Sequence, residues 1–140
     1  MRMEKKSLKQ KMNQPKTESE LEDAAVISVG NEDSDFKNLT ANLVEIKKLK
    51  GVLGVILRNK TSAVVDFEEQ DKINAFALLS TYIHESSIEI AKPLNLSFVE
   101  SVLVEGKDAK IFCIRLGDNR LDVLMETSMS EDLITAKIQL

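Results

Sequence analysis

The chain has 140 residues, 43% of them apolar and 30% charged, with a formal charge of −4. That length holds one core plus an extension, in the proportions of an ordinary globular domain. The longest apolar run, Gly51 to Leu57, closes at Arg58, short of the roughly 18 residues a bilayer-spanning helix needs, and the acidic balance argues against broad nucleic-acid binding.

Residues 1–33 read as a flexible charged tail. Met1 to Lys16 carries Arg2, Lys5, Lys6, Lys9, Lys11 and Lys16 against Glu4 alone, whereas Thr17 to Asp35 carries seven acidic groups and no Lys or Arg. Such blocks bury too little apolar surface to offset an ordering cost of about 1 to 2 kcal/mol per residue. Within them, Ala24 to Val29 is a β-rich hexamer that can add an edge strand or dock on a neighbour. The basic start lacks an apolar h-region, so no secretory signal is expected. Cys113, the only cysteine, permits no intramolecular disulfide and suits a reducing, cytoplasmic compartment.

A folded domain is expected over residues 34–140. Phe36, Leu39, Leu43, Ile46 and Leu49 share one helical face, Ser34 or Asp35 can cap its start, and Gly51 ends it. Val52 to Leu57 and Ala63 to Phe67 flank the polar turn Arg58-Asn59-Lys60-Thr61 as a hairpin. Glu69 to Lys92 contains no Gly or Pro and stops at Pro93, which predicts a helix of about six turns. Phe98 to Glu105, Ala109 to Leu116 and Leu121 to Glu126 follow as strands joined by tight turns, and Ser128 or Ser130 can cap a last short helix. The order α-β-β-α-β-β-β-α is most economically an α/β sandwich, one five-stranded, mostly antiparallel sheet with helices on both faces.

In the predicted second helix, Ile73, Phe76, Leu79, Ile83 and Ile90 form a stripe suited to its own sheet. Ala75, Leu78 and Tyr82 lie well outside that stripe, leaving a narrow polar strip near Asn74, Thr81, Glu85 and Glu89. A helix this apolar on both flanks points to a partner, although a helix buried within one chain would show the same pattern.

The pieces from Phe36 to Leu140, taken in order, resemble the roadblock or dynein light-chain family, in an archaeal-type or other small GTPase-associated form. They are the leading amphipathic helix, Lys50-Gly51-Val52-Leu53-Gly54-Val55-Ile56-Leu57 at the step into the first strand, the long second helix, Val102-Leu103-Val104-Glu105-Gly106, and Leu121-Asp122-Val123-Leu124-Met125. Lys50 stands where the family tends to have proline. The resemblance implies one long helix on one face of the sheet and two on the other, and pairing as a homodimer or as a heterodimer with a related roadblock protein. Pairing would run through the third strand and the second helix, here Ala75, Leu78, Tyr82, Glu85, Phe98, Val99, Ser101 and Leu103. It further implies a scaffold or regulator for a small GTPase.

No enzyme, cofactor or metal is expected. His84, the only histidine, has Ser80, Thr81, Ser87 and Ile88 as helical neighbours and no ligand partner among them. Cys113 sits in an apolar strand without an adjacent cation, and Gly51 and Gly54 are not followed by a phosphate-binding Lys-Ser or Lys-Thr. Asp118 and Asn119 read as turn residues, and with Asp122 they lack calcium-loop spacing. The few aromatic residues do not interleave with a basic patch, so no nucleic-acid partner is expected. Two rivals to the scaffold remain. One is a small-molecule sensor, disfavoured by the aliphatic inward positions Val55, Leu57, Ile111, Ile114, Leu121 and Val123. The other is a longin- or profilin-like trafficking module that touches anionic membrane only through the basic N-terminal tail.

Overall fold

The computed structural model describes residues 25–28 and 34–138. Its elements are β1 (Ala25–Ser28), α1 (Ser34–Lys47), β2 (Val52–Arg58), β3 (Ser62–Phe67), a 3₁₀ turn (Gln70–Lys72), α2 (Ile73–Ala91), β4 (Ser101–Glu105), β5 (Ala109–Leu116), β6 (Asn119–Glu126) and α3 (Glu131–Ala136). All strand pairs are antiparallel, in the order β1-β3-β2-β6-β5-β4. The five strands expected from the sequence are β2 to β6, and β1 adds a sixth at the β3 edge.

That sixth strand lies inside the segment read as a tail and uses the hexamer that the sequence offered as an edge strand. Ala25 pairs with Val65 and Ser28 with Ser62. Four residues gain a few net hydrogen-bond increments, each about 1 kcal/mol, against a backbone ordering cost of similar size. Deleting residues 1–24 is therefore expected to leave the thermal midpoint unchanged, and deleting 1–33 to cost less than about 2 kcal/mol. A larger loss in denaturant unfolding would make β1 an integral part of the domain.

The two sheet faces follow from strand alternation. Val55, Leu57, Val64, Phe112, Leu121, Val123 and Met125 point to one side, where Phe36, Leu39, Leu43 and Ile46 of α1 and Ile134 of α3 cover them. Ile56, Val65, Phe67, Ile111 and Cys113 point to the other, against Phe76 and Ile83 of α2. Of the inward positions expected to fill one core, Ile111 thus belongs to the α2 side. Lys47 of α1 pairs with buried Asp66 of β3, and Lys110 of β5 reaches Glu131 of α3 at 3.2 Å, so both helices on the first face are tied to the sheet by charge as well as by packing. Ser130 caps α3, its Oγ accepting from the Asp132 amide at 3.1 Å.

Three boundaries differ from the sequence expectation. The α-helix proper begins at Ile73, because the chain first makes a 3₁₀ turn in which the Lys72 amide donates to the Glu69 carbonyl at 2.9 Å. The edge strand begins at Ser101; Phe98 and Val99 lie in the connection after Asn95 and Ser97, whose φ of 60° and 53° turn the chain out of an extended path. Asn119 belongs to β6, leaving Gly117-Asp118 as the hairpin loop with Gly117 at φ 67°, a value that glycine adopts freely. Asn119 is buried and accepts from Asn59 Nδ2 at 2.9 Å, while Asn59 Oδ1 caps the β2–β3 turn through the Thr61 and Ser62 amides. The two hairpin ends are thereby joined.

Gly54 makes the close approach in β2. A Cβ there would lie 2.1 Å from Cδ1 of Phe67, whose ring packs on Phe76 at 5.1 Å between centroids. Gly54→Ala is expected to cost about 1 to 3 kcal/mol, the usual range for overpacking, read as a lower denaturant midpoint with unchanged slope. An unchanged midpoint would show that the Phe67 ring moves aside freely.

Candidate interaction surface

The helix α2 divides its residues differently from the expected stripe. Its buried line is Phe76, Ser80, Ile83, Ser87 and Ala91, at spacings of three and four. Leu79 and Ile90, expected beneath the helix, are 42% and 56% exposed. Ser87 turns its hydroxyl back to the His84 carbonyl at 2.7 Å, whereas Ser80 sits on the inner face above charged groups of the sheet that use its hydroxyl.

Those groups form a polar cluster that the sequence did not reveal. Arg58 ends β2, while Arg120 and Asp122 alternate on β6, so all three side chains rise on the α2 side. Arg58 donates to Ser80 Oγ at 2.7 Å and to Thr81 Oγ1 at 2.9 Å; Arg120 lies 3.4 Å from Ser80 Oγ and ion-pairs with Asp122 at 3.7 Å. Ser80 in turn donates to Asp122, which is 1% exposed. The Ser80 hydroxyl is committed as donor and acceptor, and the His84 imidazole makes no hydrogen bond among the described residues. Burial, then the Arg120 and Arg58 charges, lower the pKa of His84. Burial, then the neighbouring Asp122 carboxylate, push the Cys113 thiol far up, which leaves it a poor nucleophile. The cluster has the chemistry of a structural clamp between helix and sheet. Among the described residues no group of three or more His, Cys, Asp or Glu is placed to hold a metal ion, and no helix is long and apolar enough to cross a membrane.

The outer flank of α2 is open. Ala75, Leu78, Tyr82 and Glu85 all lie there at spacings of three and four, with Leu78 72% and Tyr82 67% exposed. A shallow depression joins Tyr82 and Glu85 to Ile88, and Ile88 borders a second, deeper cleft that reaches Phe98, Val99 and Ser101. Six of the eight interface residues expected from the sequence thus lie on or beside the α2 flank. Ser101 and Leu103 do not: they pair with Ile114 and Phe112 and flank Val102, which packs toward α2, so their side chains belong to the opposite face of the sheet.

Among the described residues, strand β4 is the sheet edge opposite β1 and pairs with β5 alone. It is covered less than its sequence suggests, since Ser101, Leu103, Val104 and Glu105 are all exposed and only Val102 packs inward. Leu79, Ile88, Leu94, Leu96 and Val104 are further exposed apolar groups near these elements that sequence reasoning did not place in the interface. The helix flank carried a signal for Ile88, which widens the apolar arc. The connection after Pro93 carried none.

Strands β2 to β6, an antiparallel sheet entered through a helix and a hairpin with one long helix on one face and two on the other, define the class: the chain has the roadblock fold, with β1 added at the β3 edge. The Roadblock/LC7 domain from Streptomyces avermitilis superposes with a TM-score of 0.58 at 14% identity, over 76% of this chain and 89% of that one. MglB of Myxococcus xanthus gives a TM-score of 0.60 at 16% identity, over 79% and 86%, and the gliding protein MglB of Thermus thermophilus 0.60 at 12%, over 79% and 87%. No family model and no curated protein matches the sequence. The likeness is one of fold.

Proposed function

We propose that this protein is a dimeric, non-enzymatic scaffold or regulator in the cytoplasm that binds a small GTPase or another roadblock-type subunit. The observation that carries the reading is the apolar outer flank of α2, with Leu78 and Tyr82 largely exposed, beside an edge strand free of Pro and Lys from Ser101 to Glu105. Both features are liabilities in a monomer, because an open edge recruits strands and a contiguous apolar patch recruits partners. A two-fold axis beside α2 and β4 relieves both at once: the edges pair into one sheet and the helices cover each other's flanks. Such pairing joins the upper surfaces of two domains into one platform, a form suited to holding a globular partner. The likeness in fold to the Roadblock/LC7 domain and to MglB supports a roadblock-type reading.

Light scattering of the purified chain tests the assembly. A mass near twice 15.7 kDa is expected. A monomer at micromolar concentration that also fails to pair with any roadblock-type protein from the same source would overturn the reading.

A further inference from the structure

We propose that the β3 edge is a strand-docking site for a partner protein, closed in cis by β1 and taken over by an extended apolar segment led by Lys or Arg. The site lies at the end of the sheet opposite β4, so the inference is independent of the pairing proposed above. β3 spans six residues, Ser62–Phe67, and among the described residues β1 pairs with four of them, Ser62 to Val65. Asp66 and Phe67 pair with β2 on one side and, among the described residues, with no strand on the other. β3 contains no Pro, Lys or Gly and buries Val64, Val65 and Phe67. It is a regular, apolar template, the kind of edge to which an added strand pairs by main-chain bonds while alternate side chains turn to either face. β1 covers that template incompletely, and a four-residue strand at a sheet edge belongs to the low-stability end of a domain, where local opening is frequent.

Charge decides what fits. β1 runs antiparallel to β3, so its first residue, Ala25, lies opposite Val65, close to the corner where β3 passes into the 3₁₀ turn. That corner carries Glu68, Glu69 and Asp71, all exposed; Glu69 is paired with Lys72 at 3.0 Å, while Glu68 and Asp71 make no ion pair among the described residues. The residues that lead into Ala25 in the sequence include Glu20, Glu22 and Asp23, of the same sign as the corner. Like charges at one end of a docked strand oppose its docking. A partner segment whose leading residues are Lys or Arg brings the opposite charge to the same place, and six β-rich residues behind them can pair with the whole of β3. The chain's own basic stretch, Met1 to Lys16, holds no such β-rich run and does not meet both requirements.

The test uses the full-length protein and two fluorescently labelled peptides of residues 20–31, one unaltered and one carrying Glu20→Lys, Glu22→Lys and Asp23→Lys. Anisotropy at low ionic strength is expected to show saturable binding of the basic-led peptide, at least tenfold tighter than the unaltered one, with the difference shrinking at high salt. Amide NMR shifts are expected at residues 25–28 and 62–72 and not at Ser101–Glu105. Val26→Pro with Ile27→Pro breaks β1, because neighbouring N–H groups point to opposite sides of a strand and one of the two faces β3. Without its competitor the basic-led peptide is expected to bind that variant at least tenfold more tightly. Glu68→Lys with Asp71→Lys, at exposed positions that leave folding intact, is expected to weaken it at least tenfold. Equal or tighter binding of the unaltered peptide would assign the edge to β1 of a second copy, and shifts confined to Ser101–Glu105 would assign the peptide to the β4 edge. Either outcome overturns the proposal, as does absence of saturable binding or an unchanged affinity in either folded variant.

Discussion

Replacing Leu78 and Tyr82 together by Glu is expected to give a folded monomer that no longer binds its partner. Both side chains are mostly exposed within the chain, so neither substitution removes core packing, and both new carboxylates remain solvated in the isolated protomer. In a two-fold pair of α2 helices the same changes bring four carboxylates near the axis, where repulsion and desolvation add. A penalty of about 3 kcal/mol, the order associated with an uncompensated buried charge, corresponds to roughly a 100-fold weaker dimer. Light scattering would register the halved mass and circular dichroism the intact fold. A variant that stays dimeric with unchanged partner affinity would move the interface away from α2.

The second large effect is expected at a residue that touches no partner. Asp122→Ala removes the carboxylate shared by Arg120 and Ser80 while leaving the Arg58 and Arg120 guanidinium groups beneath α2. Removing one member of a buried ion pair costs about 3 to 5 kcal/mol, because the charge left behind is neither solvated nor paired. For a chain of this size that lowers the thermal midpoint by roughly 10 °C or more. Asp122→Asn keeps a hydrogen-bond acceptor for Ser80 and is expected to lose less. A midpoint within a few degrees of the parent in both variants would show that water reaches the two arginines and that the cluster is not a buried clamp.

These two expectations divide along the line between what a sequence displays and what it hides. Leu78 and Tyr82 were legible as interface candidates because helical periodicity is local: a residue's angle about the axis follows from its number, and an apolar group on the wrong flank is conspicuous. The same locality made α1 legible through Phe36, Leu39, Leu43 and Ile46, and the hairpins legible through Asn59 and Gly117. It also explains Leu79 and Ile90, which periodicity placed under the helix. The inner line of α2 was decided by what lay below it, and Ser80 took its place because Arg58, Arg120 and Asp122 use its hydroxyl.

By itself, the sequence determined the element order, the helix and strand types, the sheet with helices on both faces, and the α2 flank as the candidate surface. All of these follow from interactions spanning a few residues. Only the tertiary structure decided that Ala25–Ser28 closes on the β3 edge, that β4 starts at Ser101 with Leu103 turned to the far face, and that a charged cluster lies beside an open cleft under α2. Arg58, Ser80 and Asp122 are separated by 22 and 42 positions along the chain. Strand register and helix placement, which no local pattern encodes, are what bring them within hydrogen-bonding distance.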